Sequence, residues 1–282
     1  YSFLWLSGYP GIGIEDIKTF RKLGSKCAGH PEHGVIPGIE TTTGPLGQGI
    51  SNAVGMALAE RILNARFGDE LVDHRTYCLC GDGDLMEGIS HEAISIAGHL
   101  KLSKLTILYD DNGISIDGPT SITDSTDAVK RFEAAGWATA RVDGHDPAAI
   151  AAALSAAQKS DKPTMIACKT IIGYGAPHKA GTSAAHGAPL GPEEIAGVRK
   201  ALDWPYPPFV VPDEIVSAWR GIGLQGKSAR EMWEKRKAAA NPVLTKDFDE
   251  RMAGDMPAIV WEGLQVLKKK ISREKPVVAT RK

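Results

Sequence analysis

The sequence predicts an α/β protein: a doubly wound, mostly parallel sheet with helices on both faces, followed by a helical linker. Two observations carry this. Apolar, strand-length runs at 76–80, 104–110, 137–142 and 164–170 alternate with helical patterns near 89–100, 124–135 and 148–159, and strands separated by a helix's worth of chain pair in parallel. The first two runs also stop at oxygen ligands, Asp82 and Asn112, thirty residues apart, which places a hard-cation site at the ends of neighbouring strands.

The elements follow in order. Residues 14–23 read as a short amphipathic helix, then a Gly/Pro/His-rich loop runs from 29 to 49. A helix over 50–67 carries Ile50, Val54, Leu58 and Ile62 at four-residue spacing, with small residues Ala53, Gly55, Ala57 and Ala59 suited to close packing. The helix over 89–100 is expected to bury Ile89, Ala93, Ile96, Ala97 and Leu100, after a turn at 81–88. Pro147 opens an Ala-rich helix. From 173 to 191 the pattern gives way to a Gly/Ala/His loop. Pro205, Pro207, Pro208 and Pro212 then mark a rigid connector before charged helical stretches at 213–240 and 247–271. The expected division is a domain over 1–203 and a connector and linker over 204–282.

Composition narrows the function classes. The 282 residues carry 33 basic and 34 acidic side chains for a net charge of −1, which gives nucleic acid or an anionic membrane no electrostatic footing. No apolar run approaches the roughly twenty residues of a membrane span. Cys27, Cys78, Cys80 and Cys168 read as reduced thiols of a cytoplasmic protein, Cys78 and Cys80 filling core from one strand face. The chain begins at Tyr1, within an apolar segment, and ends at Lys282; the expectation is a fragment of a longer polypeptide.

Asp82 offers an anionic oxygen and Asn112 a neutral amide oxygen, both suited to Mg²⁺ or Ca²⁺. Two such ligands need further oxygens from the backbone and a bound phosphate. Gly81, Gly83 and Gly113 beside them let the chain turn and a diphosphate approach the amides. Either string alone is an ordinary turn; their spacing, with a strand before each, points to a metal–diphosphate site. Gly44-Pro45-Leu46-Gly47-Gln48-Gly49 is a Gly-rich loop opening a helix. It suits a phosphate or a planar ring, but it is not the dinucleotide fingerprint. His30 and His186 sit in Gly-rich loops where they can position phosphate or move protons, whereas His33, His74 and His145 read as solvated.

Together the strings His30-Pro31-Glu32, Thr41 to Gly49, Gly81 to Glu92, Asp110 to Gly118 and Lys169 to Gly175 resemble the transketolase family over essentially the whole chain. The resemblance implies thiamine diphosphate with Mg²⁺ or Ca²⁺, and transfer of a two-carbon ketol unit between sugar phosphates, in the pentose phosphate pathway or the Calvin cycle. It implies a homodimer with shared active sites. Asp82, Asn112 and the Ile114 carbonyl would ligate the metal; Gly83 and Asn112 would hold the diphosphate; Gly44, Pro45 and Leu46 would flank the aminopyrimidine. His186 would reach the diphosphate and the reacting centre, His30 the donor-sugar hydroxyls, and Glu87 and Glu92 the subunit interface. Ser183 stands where some members carry a second histidine. Members also have a segment before Tyr1 with two further histidines, and domains after Lys282 that supply the cofactor-activating glutamate and phosphate-binding arginines. Dihydroxyacetone synthase, the deoxyxylulose-phosphate synthase and a non-catalytic binding module are the competing readings.

Overall fold

The computed structural model describes residues 1–277; the end of the expected linker, residues 278–282, lies outside them. Four parallel strands form the main sheet: β1 (Thr76–Gly81), β2 (Leu105–Asp111), β5 (Ala138–Asp143) and β6 (Thr164–Lys169). Their order is β1–β2–β6–β5. A two-stranded antiparallel hairpin, β3 (Ile114–Ser115) and β4 (Gly118–Pro119), follows β2.

The helices lie on both faces, as the alternation predicts. On one face pack α3 (Gln48–Phe67), α5 (Gly88–His99) and α6 (Ala128–Ala134); on the other packs α7 (Pro147–Ala157). The chirality of parallel crossovers explains the split. The connections β1→β2 and β2→β5 run one way across the sheet, and β5→β6 runs back, so right-handed crossovers need opposite faces. The reversal makes the gap between β2 and β6 a topological switch point, and all four strands end on the same edge there.

The main core is built by Ile107, Tyr109, Met165 and Ala167 of the sheet against Ala53, Ala57, Ile94 and Phe132 of the helices. Phe132 is fully buried and meets Trp137 edge-to-face at 4.9 Å; the Trp137 indole donates to the Ile94 carbonyl at 2.9 Å. Cys78 and Cys80 fill this core as expected, and all four cysteines are free and buried. Burial pushes the Cys78 thiol up to about 11, which keeps it unreactive at neutral pH.

Several boundaries differ from expectation, each for a local reason. The helix expected from 124 starts at Ala128, because Asp127 caps it by accepting from the Lys130 amide. Asp146 caps α7 the same way, with Pro147 at its first position. The first short helix, α1 (Ser2–Ser7), precedes α2 (Ile14–Lys18), which stops five residues short of the expected 23. The turn after β1 contains a helical turn, α4 (Asp82–Met86).

In α5 the buried stripe is Ser90, Ala93, Ile94, Ala97 and Gly98; Ile89 and Ile96, expected inside, are exposed. Gly98 fixes this rotation: a methyl group there would lie 1.8 Å from the Ala135 carbonyl oxygen. In α3 the four-residue series holds for Ile50 and Val54, but Ile62 faces out. His145 is not merely solvated. Its ring accepts from the Ile171 amide at 3.0 Å and stacks on Tyr174 at 4.2 Å.

Beyond the sheet, α8 (Pro192–Ala201) occupies a stretch with no assigned element, and α9 (Asp213–Ala239) fills the first helical stretch of the linker. The second stretch divides into α10 (Pro242–Ala253) and α11 (Ala258–Glu274). Gly254 ends α10 in the left-handed region, with Pro257 at the start of α11. These C-terminal helices pack on the earlier part of the chain. Trp233 and Phe248 pack on Phe67, Leu71 and Val72 at the end of α3, and Phe3 of α1 meets Trp219 of α9 at 5.3 Å.

Candidate functional site

The site forms at the carboxyl edge of the sheet, where parallel strands leave their last backbone groups facing one crevice. Strand register sets the first pair. Gly81 of β1 lies opposite Asp110 of β2, so Asp82 faces the turn that carries Asn112, Gly113 and Ile114. Asp82 is buried, and both carboxylate oxygens are held: the Tyr109 hydroxyl donates to Oδ1 at 2.5 Å and the Gly113 amide to Oδ2 at 3.0 Å. Gly113 adopts φ +72°, the left-handed turn that aims its N–H back across the strands.

Asn112 is oriented from both ends. Its side-chain Nδ2 donates to Asp110 at 3.0 Å, and its Oδ1 accepts from the Ile114 amide at 2.9 Å. Asp110 also accepts from the Thr170 hydroxyl, tying β2 to the start of the loop after β6. The structure therefore brings together Asp82, Asn112 and Ile114, the three expected metal ligands.

Electrostatics at Asp82 favour a cation. Burial pushes its carboxyl above the usual range. The Tyr109 hydroxyl and the Gly113 amide pull it back, and Asp111 and Asp110 add to the upward shift. Tyr109 is driven up in turn, by burial and by its bond to Asp82, so it remains a donor. Among the described residues no three His, Cys, Asp or Glu side chains gather as a metal centre. A cation here needs the mixed set of one carboxylate, one amide and one carbonyl, with the remaining positions filled by ligand and water oxygens. Oxygen donors of this kind suit Mg²⁺ or Ca²⁺. A polar cavity of about 260 Å³ adjoins Asp82, lined in part by Asp111, Thr120, Asp124 and Arg131.

The Gly-rich loop packs against the turn that follows Asp82, its Gly47 amide donating to Asp84. Gly44, at φ +145°, lies against His30: a methyl group on Gly44 would come within 2.9 Å of the ring. Leu46 rests on Gly83, where a methyl group would lie 3.2 Å from a Leu46 methyl. Glycine at 44 and 83 thus lets His30 and Leu46 pack directly on bare backbone, with Pro45 and half-exposed Leu46 at the surface beside them.

His186 stands apart. It lies on the loop that leaves the carboxyl end of β6, next to β2 in the sheet, and is exposed. Among the described residues its ring makes no hydrogen bond. The loop's base is fixed by Glu194 of α8, which accepts from the His178 and Lys179 amides. Glu87, which precedes α5, and Glu92 within it both face outward beside exposed Ile89 and Ile96.

Tyr109 and Asp84 have no role in the sequence reading. Tyr109 ends an apolar run immediately before the acidic pair Asp110-Asp111, where its hydroxyl could have been read as the partner of a buried carboxylate. Replacing Tyr109 with Phe removes the donor that orients Asp82. The expected result is a loss of Mg²⁺ or Mn²⁺ affinity of about 10- to 100-fold, the range for outer-shell partners, read by calorimetry or Mn²⁺ resonance.

The fold defines a parallel α/β domain with its candidate binding site at the strand ends. The chain matches the family described as "Transketolase, thiamine diphosphate binding domain" over residues 1–257. It belongs to that family. A transketolase from Cereibacter sphaeroides is 51% identical over all 282 residues, which span 42% of that relative. Transketolase 2 of Escherichia coli K12 is 49% identical, again over the whole chain and 43% of the relative. Solved transketolase structures superpose on it. The Campylobacter jejuni enzyme has a TM-score of 0.84 at 42% identity, over 89% of this chain and 39% of the other. A Pichia stipitis transketolase in complex with sedoheptulose 7-phosphate has 0.86 at 41%, over 91% and 39%. The chain thus spans about two fifths of the length of these relatives.

Proposed function

We propose that this chain is the diphosphate-anchoring part of a transketolase, moving a two-carbon ketol unit from a ketose phosphate to an aldose phosphate. Donors would be xylulose 5-phosphate or sedoheptulose 7-phosphate, acceptors ribose 5-phosphate or glyceraldehyde 3-phosphate, in the pentose phosphate pathway or the Calvin cycle. The observation that carries this is the union of Asp82 with the Asn112–Ile114 turn under the Gly44–Leu46 loop, in a chain about half identical to transketolases along its full length. Sugar phosphates as substrates are supported by the Pichia stipitis complex.

Bound thiamine diphosphate would supply the nucleophilic carbon and the electron sink. The chain's own residues do the rest of what this part can do. Asp82, Asn112 and the Ile114 carbonyl hold Mg²⁺ or Ca²⁺ against the diphosphate, and Gly83 lets the diphosphate approach its amide. Gly44, Pro45 and Leu46 flank the aminopyrimidine. His30 binds donor-sugar hydroxyls, and His186 holds the diphosphate and moves a proton at the reacting centre. Glu87, just before α5, and Glu92, on its outward face with two exposed isoleucines, would meet a second copy across a homodimer interface. Residues 1–203 form the binding domain and 204–282 the connector and linker. The four free thiols suit a cytoplasmic setting.

The test is binding of thiamine diphosphate followed by calorimetry, with and without divalent cation. Binding should require Mg²⁺ or Ca²⁺ and vanish in EDTA, and the 282-residue chain alone should show no ketol transfer. Cation-independent binding, or turnover by the isolated chain, would contradict the proposal. In the full-length polypeptide, preference for formaldehyde over ribose 5-phosphate as acceptor would favour a dihydroxyacetone synthase instead, and tight binding without turnover a non-catalytic module.

A further inference from the structure

Asp84 is a carboxylate beside the cation site that the anchoring chemistry leaves without a task. It lies in the first turn of α4, and each of its oxygens accepts one backbone N–H. Oδ2 takes the Gly81 amide at 2.9 Å, a bond that local capping explains. Oδ1 takes the Gly47 amide at 2.9 Å, 37 residues away in the other loop of the site; capping does not require that bond.

The surroundings make this junction tight. Gly47 is buried at φ +78°, and a methyl group there would come within 2.9 Å of Glu87, Ile89 and Ser90. Ser90 is fully buried, and its hydroxyl donates to the Asp84 carbonyl at 2.5 Å. One residue back, Leu46 covers Gly83. Gly47 also precedes the twenty-residue helix α3, so a carboxylate at its amide complements that helix's positive end.

We propose that Asp84 is the positioning residue that joins the Gly44–Gly49 loop to the Gly81–Gly83 turn. The ring-flanking and diphosphate-flanking halves of the cradle are thereby held at one fixed spacing. This rests on the thiamine diphosphate reading above. Asparagine is the same size but presents one acceptor oxygen and one NH₂ donor. Because both partners of Asp84 are N–H donors, Asp84→Asn must lose one of the two bonds. Glutamate keeps both acceptors on a longer stem.

The two halves can be probed separately in the full-length polypeptide with Mg²⁺ present. Thiamine diphosphate needs both loops; inorganic pyrophosphate needs only the diphosphate half. In Asp84→Asn, thiamine diphosphate affinity should fall about tenfold or more while pyrophosphate affinity is unchanged, and Asp84→Glu should recover most of the loss. Hydrogen exchange of the unliganded wild type should show the Gly47 amide protected, a readout that does not depend on a variant folding. Equal losses for both ligands, no loss for either, or an unprotected Gly47 amide would overturn the inference. A wild type that binds neither ligand overturns the thiamine diphosphate reading and this inference with it; a wild type that binds both, with Asp84→Asn unaltered, overturns this inference alone.

Discussion

Asp82→Asn is expected to lower cation-dependent thiamine diphosphate affinity by about 100-fold or more, beyond what loss of an outer-shell partner gives, while leaving the cation-free protein at least as stable as the wild type. The first half follows from charge, since the substitution removes the one anionic member of the proposed ligand set of Asp82, Asn112 and the Ile114 carbonyl. The second follows from the hydrogen bonds. Asp82 accepts from one hydroxyl and one amide. An asparagine oxygen can accept from the Gly113 amide while its NH₂ donates to a rotated Tyr109 hydroxyl, so both contacts survive.

The sign of the pH effect agrees. Burial places the folded-state value of Asp82 above the usual carboxylate value, so the folded state holds this proton more tightly than the unfolded chain. Stability therefore falls as pH rises from the unfolded value through the raised folded one, and the cost is fully present once the pH lies above the folded value. Asparagine removes it. Calorimetric titration with Mg²⁺ and thiamine diphosphate measures the first effect, and thermal melts in EDTA the second. Undiminished affinity, or a melt well below wild type, would contradict this account of Asp82.

Phe132→Ala should have the opposite profile: a large loss of stability with the binding site intact. Phe132 has no exposed surface, packs edge-to-face on Trp137, and sits under α6 on the sheet face remote from α7. Deleting a buried phenyl ring costs about 3–5 kcal/mol through lost transfer energy and the cavity left behind, out of a typical 5–15 kcal/mol for a whole domain. Urea titration should show the midpoint falling with the slope unchanged. Affinity for thiamine diphosphate, measured at low temperature on the folded fraction, should stay near wild type. A loss under 1 kcal/mol would mean that the site collapses around the missing ring.

The sheet was legible because its signal is local. Thr76 to Gly81 and Leu105 to Asp111 are apolar runs that stop at Gly or acidic residues, and a helix's length between them leaves little choice but parallel pairing. The proximity of Asp82 to the Asn112 turn was legible for the same reason, since strand register alone brings them together. What was not legible depends on partners distant in sequence. Ile89 and Ile96 look like core because they are apolar, but the orientation of α5 is set by the contact of Gly98 with Ala135, which no periodicity reveals. His145 reads as solvated until its bond to the Ile171 amide closes the gap between two loops. Asp84 and Gly47 carry no common pattern; only the folded backbone makes them neighbours. The helical stretch 247–271 was read as continuous because charge patterning tolerates a break that Gly254 and Pro257 impose, and the two observed helices run beyond it at both ends.

The close contacts of α5 have a mechanical consequence. At one end Gly98 abuts the Ala135 carbonyl with no room for a methyl group, and at the other Ile89 and Ser90 wedge against Gly47. A helix held this way is a strut: sliding or rolling it disturbs the Gly98–Ala135 backbone contact at one end or the packing of Ile89 and Ser90 on Gly47 at the other. The same helix that presents Glu92 and Ile96 on its outward side therefore bears at its other end on Gly47, so that surface and the Gly-rich loop are joined through one element.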